Sequence, residues 1–274
     1  MENDQYLFGG DTYDTPADVK KSFLYRLFLG SRWYFYLNNF GIFARTGRCG
    51  RQGKLDKERQ IYYSRQNFRL VEKCGGKIHL RGLDNLRTLQ GEPVVLIGNH
   101  MSLLETALFH AVAREYLDFT FVIKQSLLKV PFFKEIMFAL GAIPVGRQNP
   151  RDDLRAVLNG GRKLLESGRS IIIFPQSTRS ESFDAEKFNS IGIKLAKSAN
   201  VRVLPFALKT DFLGNGEYVR DLGPVRPKRE VYFEFAPAKT VEGNGQELQQ
   251  EIIDFIQSRL SQWRELESEK KEEK

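Results

Sequence analysis

Residues 94–113 read VVLIGNHMSLLETALFHAVA. Five apolar or small residues come first, which is typical of a strand buried in a sheet. The residues after Ser102 are apolar at the spacing of a helix, so a strand, a short loop and a helix are predicted. The loop contains His100, one of three histidines in the chain, and the helix opens with Glu105. A histidine at a strand end with a carboxylate nearby indicates a chemical role.

Strand-like and helix-like segments continue to alternate from about residue 76. The predicted strands read KIHLRGL, PVVLIGN, FTFVIK, AIPVGR, SIIIFP, VRVLPFAL and VYFEFAP. The last of these is considered as a strand at the edge of the sheet. The predicted helices are residues 102–116, 127–141 (a helix or a pair of turns), 149–168 and 185–200. Asn149 is the expected cap of the third helix. Strands that alternate with helices of about 10 to 15 residues predict an α/β fold, with a mixed, largely parallel sheet flanked by helices.

Composition and charge narrow the class of protein. The 274 residues are 41% hydrophobic and 28% charged, which fits neither a disordered chain nor a polytopic membrane protein. The net charge of +8 suits nucleic acid, anionic lipid headgroups or phosphorylated substrates. The basic stretch TGRCGRQGK, residues 46–54, is interpreted as a loop that touches lipid phosphates or is solvated. It is too short and unpatterned for nucleic acid. Cys49 and Cys74 are expected to be ordinary reduced thiols.

The N-terminal region indicates amphipathic, membrane-associating helices. The first residues are acidic and polar, unlike a signal peptide, so the chain is expected on the cytoplasmic face of a membrane. Residues 17–39 combine aromatic and aliphatic residues at helical spacing with Lys and Arg, and Gly30-Ser31 is expected to divide them into two helices. Such helices either lie on an anionic membrane or pack on their own domain. No run of about 18 apolar residues predicts a membrane span.

Three parts of the chain are therefore expected. Residues 1–60 form the amphipathic and basic segment, residues 61–245 the α/β domain, and residues 246–274 a C-terminal helix with a charged tail. Apolar residues recur at helical intervals in this last part, which predicts a helix docked on the domain. They are Leu248, Ile252, Ile256, Leu260 and Trp263.

The segment around His100 has the features of a general base. In one uninterrupted helix, residues five apart point roughly 140° away from each other. If His100 lies in the loop and the helix begins near Ser102, Glu105 reaches back to the imidazole. A paired carboxylate fixes the tautomer of a histidine and stabilises the imidazolium that forms when the ring takes a proton. The other interpretation is a structural histidine at a strand end, with Glu105 solvated on its helix.

Polar and cationic residues follow three further predicted strands. They are Lys124, Arg147, Gln176, Ser177, Thr178 and Arg179. Ligand sites of α/β sheets gather at the carboxyl ends of strands, and the guanidinium of Arg179 suits a phosphate. If these strand ends converge, they describe a site for an anionic substrate that carries a hydroxyl group. By itself, FPQSTRS at residues 174–180 is equally a polar turn with a surface arginine.

Five stretches, in order, resemble the glycerophospholipid acyltransferase family, which contains the lysophosphatidic acid (1-acylglycerol-3-phosphate) acyltransferases. They are NHMSLLE, KQSLLKVPFF, GAIPVGR, FPQSTRS and VLPFAL, and the resemblance covers residues 78 to 210. The first motif of that family is Asn-His, four further residues and Asp, and a later motif reads Phe-Pro-Glu-Gly-Thr-Arg. Each fragment is weak evidence, whereas five in the right order form a specific signature.

The resemblance implies a role for each matching residue. His100 corresponds to the general base that deprotonates the acceptor hydroxyl, and Glu105 corresponds to the aspartate that orients it. Arg147 and Arg179 correspond to arginines associated with the acceptor phosphate, and Gln176 to a glutamate linked to acceptor binding. The family transfers the acyl group directly from acyl-CoA or acyl carrier protein, without an acyl-enzyme, a metal or another cofactor.

The expected function is that of a peripheral membrane O-acyltransferase, which converts 1-acylglycerol 3-phosphate to phosphatidic acid in phospholipid biosynthesis. Three residues depart from the family pattern: Glu105 replaces Asp, Gln176 replaces Glu and Ser177 replaces Gly. The first keeps its charge, whereas the other two leave the acceptor open. Glycerol 3-phosphate or another lysolipid as acceptor remains an alternative, as does a degenerate relative that only binds lipid.

Other classes of site lack their motifs. A serine hydrolase is not expected because GxSxG is missing, and a nucleotide site is not expected without GxxxxGK[ST] or a strand followed by GxGxxG. His79 and His110 are expected to be structural, since neither lies at a strand end beside other polar groups.

Overall fold

A computed structural model describes residues 8–28, 30–89, 91–176 and 178–272. The strands are β1 (Tyr13–Asp14), β2 (Ile78–Arg81), β3 (Val95–Gly98), β4 (Phe119–Lys124), β5 (Ile143–Val145), β6 (Ser170–Ile173), β7 (Val203–Lys209) and β8 (Val231–Phe235). The α-helices are α1 (Phe23–Leu27), α2 (Arg32–Arg51), α3 (Lys57–Lys73), α4 (Leu83–Arg87), α5 (Leu104–Ala113), α6 (Phe133–Ala139), α7 (Pro150–Glu166), α8 (Ile191–Ala199) and α9 (Gln246–Glu272). Short 3₁₀ turns cover Gln125–Lys129 and Ala185–Lys187.

The strands of the described residues form one mixed sheet in the order β1-β2-β8-β7-β3-β6-β4-β5. Strands β7, β3, β6, β4 and β5 run parallel to one another, whereas β8 pairs antiparallel with β7. The predicted mixed, largely parallel sheet is therefore confirmed. Because β3 lies at the centre, its carboxyl end opens on the same edge as those of its parallel neighbours.

Helices cover both faces of this sheet. Alternate residues of β3 pack against different layers of helices. Leu96 packs into a core with α2 to α6, and Val95 and Ile97 pack into a second core with α7, α8 and α9. Residues on successive positions of a strand point to opposite faces, so a strand buried on both sides must be apolar throughout. Burial of β3 on both faces explains the apolar run VVLIG at residues 94–98.

The edge position considered for VYFEFAP is wrong. β8 lies inside the sheet, between β2 and β7. The stretch KIHLRGL pairs with it in parallel, from Ile78 opposite Val231 to Arg81 opposite Glu234. Because its partner strand β2 lies much earlier in the chain, the sequence of β8 contains no local sign of this pairing.

The loop expected at residues 46–54 is also wrong over most of its length, because α2 continues to Arg51. Gly47 and Gly50 suggested a loop, yet they serve close helix packing. A Cβ on Gly47 would lie 2.6 Å from Cβ of Phe132, and one on Gly50 would lie 2.8 Å from the Glu135 carbonyl oxygen. Glycine in a helix costs about 1 kcal/mol relative to alanine. Here it allows α2 to approach α6.

The single helix expected over 185–200 is divided in the structure. Ala185–Lys187 forms a 3₁₀ turn and α8 begins only at Ile191. Asn189 separates the two, since its side-chain oxygen accepts a hydrogen bond from Ile191 N at 3.1 Å and its amide donates to the Pro175 carbonyl. The same residue thus starts the helix and holds the loop after β6.

Two N-terminal helices flank Gly30-Ser31, as predicted, but the first begins at Phe23 rather than near residue 17. Much of their apolar surface is exposed to solvent. These residues are Phe23, Leu24, Leu27 and Phe28 of the α1 segment and Trp33, Leu37 and Phe40 of α2. None of the helices in the described residues is long and apolar enough to cross a membrane.

The C-terminal helix docks as its sequence predicts. Leu248, Ile252, Ile256, Leu260 and Trp263 are all buried. A buried ion-pair cluster fastens the far end of the helix, where Lys209 Nζ lies 2.8 Å from Asp211 Oδ1 and also contacts the Glu267 carboxylate. Glu267 further accepts hydrogen bonds from Arg229 and from Glu230 N, each at 3.0 Å. The helix thereby holds the last residue of β7.

Both cysteines are free and buried, which makes their reactivity testable. Burial raises the pKa of the Cys74 thiol to about 12, so almost no thiolate forms near neutral pH. We expect Cys74 to resist a maleimide reagent in the native protein and to react readily in denaturant. Mass spectrometry after labelling measures this. Rapid labelling of Cys74 in the native protein would contradict the burial described here.

Candidate active site

The loop after β3 is positioned by the neighbouring strand β7. Asn99 Nδ2 donates to the Leu208 carbonyl at 2.7 Å, and Leu208 N donates to Asn99 Oδ1 at 2.8 Å. The side chain is buried and thus continues the sheet pairing past the end of β3. Gly98 is needed just before it, since a Cβ there would lie 2.2 Å from the Phe206 ring. This arrangement fixes the direction in which His100 leaves the strand.

His100 and Glu105 are in direct contact. Nδ1 of His100 lies 2.5 Å from Oε2 of Glu105. The contact forms because α5 starts only at Leu104, whose N–H donates to Ser102 Oγ at 3.1 Å. Glu105 therefore stands in the first turn of the helix and faces back toward the loop. Its carboxylate is fully buried, whereas the His100 side chain remains 17% exposed.

The second oxygen of Glu105 is held by three donors. Oε1 accepts hydrogen bonds from Met101 N at 3.0 Å, from Ser102 N at 2.6 Å and from the Thr210 hydroxyl. Ser102 Oγ in turn donates to Thr210 Oγ1 at 2.9 Å. A buried carboxylate is costly unless it is hydrogen-bonded, and these three donors satisfy Oε1. The remaining oxygen is left aimed at His100.

The orientation of the His100 ring is fixed by a stacked aromatic residue. It stacks on Phe174, with centroids 4.2 Å apart and an angle of 18° between the rings. Because the Nδ1–H group donates a hydrogen bond to the Glu105 carboxylate, the neutral ring carries its lone pair on Nε2. Among the described residues, none is hydrogen-bonded to Nε2. This nitrogen is thus placed to accept a proton from a hydroxyl group.

The segment after β6 closes one side of the same site. Gln176 is buried, and its side-chain oxygen accepts a hydrogen bond from His100 N at 3.3 Å. Ser180 N donates to the His100 carbonyl at 3.0 Å. Arg179 lies between Gln176 and Ser180 in the chain, and 17% of its side chain is exposed. Its Nη2 is 2.5 Å from Asp221 Oδ1. A cation therefore lies on a segment that is bonded to the histidine backbone.

Comparison with known proteins agrees with this arrangement. A family model described as Acyltransferase matches residues 77–209, which include His100, Glu105, Gln176 and Arg179. The 1-acyl-sn-glycerol-3-phosphate acyltransferase of Pseudomonas aeruginosa is 29% identical over 172 residues, 63% of each chain. The Borreliella burgdorferi protein of the same name is 30% identical over 135 residues, 49% of this chain and 52% of its own. Residues 77–209 therefore match the acyltransferase family.

The fold of this chain is shared with a solved structure. The 1-acyl-sn-glycerophosphate acyltransferase PlsC of Thermotoga maritima superposes with a TM-score of 0.66, covering 87% of this chain and 96% of that one. At 17% identity, the likeness concerns the fold. The chain spans 63% of the length of the Pseudomonas aeruginosa protein and 52% of the length of the Borreliella burgdorferi protein.

The other predicted residues of the acyltransferase domain lie farther from His100. Lys124 ends β4 and Arg147 follows β5, two strands that pair with Lys124 opposite Val145. Both side chains are exposed on the edge of the sheet where β3 ends, and among the described residues neither is bonded to His100. Thr178 is exposed and its N–H donates to the Gln176 carbonyl at 2.7 Å. Ser177 lies outside the described residues.

Sequence reasoning missed Thr210, Phe174 and Asp221. Thr210 carried a usable signal, since it is a polar residue that directly follows β7, and that strand is parallel to β3. Phe174 and Asp221 carried none. An aromatic residue at a strand end is ordinary, and Asp221 comes from a loop whose path depends on the tertiary fold.

Replacing Thr210 with valine tests the support of Glu105. Valine keeps the shape of the side chain but removes the hydroxyl, and a hydrogen bond to a charged group contributes about 1.5–3 kcal/mol. If that support acts on the proton transfer, kcat falls about tenfold to a hundredfold with KM nearly unchanged. Thr210→Ser keeps the hydroxyl and is the matched control. Equal kcat values for the two variants would show that the hydroxyl has no part in turnover.

Proposed function

We propose that this protein is an O-acyltransferase, which moves a fatty acyl group from a thioester to the free hydroxyl of 1-acylglycerol 3-phosphate and forms phosphatidic acid. The observation that carries the proposal is the His100 and Glu105 pair at the carboxyl end of β3, in which Nε2 of His100 has no hydrogen bond to any of the described residues. The acyl donor is acyl-CoA or acyl carrier protein, and the step uses no cofactor. The family match over residues 77–209 supports this reaction class.

The reaction follows from the direction in which the histidine points. Nε2 of His100 takes the proton of the acceptor hydroxyl as its oxygen attacks the thioester carbonyl. The new C–O ester bond forms, the C–S bond breaks, and the leaving thiolate recovers the proton from the imidazolium. Glu105 stabilises the imidazolium during this interval, since its carboxylate contacts Nδ1. Acyl transfer thus occurs without a covalent enzyme intermediate.

The acceptor phosphate is assigned to Arg179, supported by Arg147 and Lys124 at neighbouring strand ends. Arg179 lies three residues after Gln176, which holds the His100 backbone, so phosphate bound there brings a glycerol hydroxyl toward Nε2. A guanidinium binds phosphate by two parallel hydrogen bonds. Gln176 contributes by accepting a hydrogen bond from His100 N, and its neutral amide adds no negative charge beside Arg179.

The proposed location is the cytoplasmic face of a membrane, with the protein bound peripherally. The exposed apolar surface of α1 and α2 supports this, because Trp33, Leu37 and Phe40 form one stripe on α2. Arg32 stacks its guanidinium over Trp33 at 5.3 Å, which places a cation beside that stripe. Apolar residues bordered by cations are typical of helices that lie in the interface of an anionic bilayer. The acceptor itself resides in such a bilayer.

Thiol release from a long-chain acyl-CoA by the purified protein tests the proposal. Three acceptors are compared in vesicles: 1-acylglycerol 3-phosphate, glycerol 3-phosphate and a zwitterionic lysophospholipid. Release is expected with the first. Release with only another acceptor would assign the enzyme a different substrate. If all three fail, acyl carrier protein replaces CoA as the donor, and continued failure would overturn the proposed activity.

A further inference from the structure

A loop formed by residues 215–222 is bonded to the candidate site at both of its ends. At the first, Asn215 Nδ2 donates to the carbonyl oxygen of Met101, the residue that follows His100, at 3.1 Å. At the second, the Asp221 carboxylate pairs with Arg179 at 2.5 Å and Arg220 donates to the Arg179 carbonyl. The loop therefore contacts both the segment of the general base and the proposed phosphate-binding arginine.

Internal hydrogen bonds keep this 215–222 loop compact. Gly214 N donates to the Pro224 carbonyl at 2.9 Å, and Gly216 N donates to the Arg220 carbonyl at 3.1 Å. Gly223 must be glycine, since a Cβ there would lie 1.9 Å from the Gly214 carbonyl oxygen. These contacts connect the two ends of the loop to each other.

The tip of the loop presents apolar side chains to solvent. Tyr218 is 94% exposed, and Val219 and Leu222 are also largely uncovered. Arg220 lies among them, exposed and positively charged. Tyrosine and aliphatic residues are typical of segments that enter the interface of a bilayer, and Arg220 lies beside them together with the oppositely charged Glu217, which is also exposed. Within the described residues, the apolar side chains of the tip have no ring contact or hydrogen-bond partner of their own.

The 215–222 loop is continuous with the exposed surface of α2. Tyr36 donates its hydroxyl to the Gly223 carbonyl at 2.8 Å, and its ring packs edge-on against Trp33 at 6.4 Å between centroids. Trp33 belongs to the exposed stripe of α2. One lipid surface can therefore meet the helix stripe and the loop together.

We propose that the 215–222 loop is a second lipid-contacting element, which enters the headgroup layer of an anionic bilayer and governs access of the acceptor phosphate to Arg179. This inference rests on the proposed function. Away from lipid, the Asp221 carboxylate occupies one edge of the Arg179 guanidinium. On a bilayer, entry of Tyr218 and Val219 draws the loop outward, and the phosphate of a lysolipid replaces Asp221. The membrane thus brings the acceptor and frees its binding site.

Lipid contact is tested first, without turnover. The Tyr218→Cys variant is labelled with an environment-sensitive nitrobenzoxadiazole, and Glu166→Cys on α7, across the sheet, is the matched control. The native cysteines are buried, so the new thiol takes the label. With vesicles of phosphatidylglycerol and phosphatidylcholine, we expect a blue shift of emission at position 218 alone. Emission at 218 that stays like that at 166, while the protein sediments with the vesicles, would overturn the proposal.

The replacement of Asp221 by a phosphate is tested with Asp221→Asn. An exposed ion pair contributes about 0.2–1 kcal/mol, so KM for a short-chain, water-soluble 1-acylglycerol 3-phosphate should fall by up to about fivefold. With the long-chain acceptor in vesicles, where the loop is already drawn outward, KM should change less than about twofold. A rise of KM with both acceptors would show instead that Asp221 orients Arg179, and would contradict its displacement.

The two proposals fail differently. A blue shift at position 218 in a protein that releases no thiol with any acceptor would leave the lipid contact standing and remove the acyltransferase activity. Thiol release without that blue shift would leave the acyltransferase activity standing and remove the lipid contact.

Discussion

Replacing His100 with alanine is expected to lower kcat by about 10²–10⁴-fold, the usual contribution of a general base. The variant loses the acceptor for the hydroxyl proton, while Arg179 and the other residues assigned to the acceptor remain. KM values for donor and acceptor should therefore stay close to those of the parent protein. Steady-state thiol release from acyl-CoA with 1-acylglycerol 3-phosphate measures both constants.

His79→Ala provides the matched control for this experiment. His79 lies on β2, where its ring stacks on Tyr232 at 4.6 Å between centroids and Nδ1 contacts Asp14. Its loss weakens the sheet edge but removes no group from the site, so turnover of the folded protein should persist. Turnover by His100→Ala equal to that of His79→Ala would exclude His100 as the base.

The largest expected loss of stability comes from Glu267→Ala. Glu267 is buried on α9 and contacts Lys209, whose side chain is also buried. Removing one partner of a buried pair costs about 3–5 kcal/mol because the other charge remains. The low end of that range is expected here, since Asp211 still pairs with Lys209. Urea unfolding followed by circular dichroism gives the free energy of unfolding.

Two further variants make the stability measurement specific. Glu269→Ala, at an exposed position of the same helix, should change the free energy of unfolding by less than about 0.5 kcal/mol. Lys209→Met added to Glu267→Ala should restore part of the loss, because the unpaired charge is removed with its partner. If Glu267→Ala unfolds at the same urea concentration as Glu269→Ala, the buried cluster contributes nothing to stability.

Local pattern was sufficient for the central parts of this molecule. The apolar run before His100 predicts a strand buried on two faces, and the start of the helix near Ser102 brings Glu105 back to the imidazole. Both depend on residues that are neighbours in the chain. Motif order added the family, which no single spacing could have provided.

Features that depend on distant partners were not accessible in this way. The inner position of β8 depends on pairing with β2, far earlier in the chain. The glycines of α2 look like loop residues until α6 is placed against them. Asp221 meets Arg179 only because the loop that carries it folds back over the site. In each case the sequence contains the residues, but the contact that gives them meaning is tertiary.

The ion pair between Lys209 and Glu267 also orders events during synthesis. Lys209 precedes Thr210, the residue that supports Glu105, and its partner is made near the end of the described chain. The helices α1 and α2 are synthesised before both partners of this pair. The buried ammonium group of Lys209 therefore lacks the Glu267 carboxylate until α9 has been synthesised and has packed on the sheet.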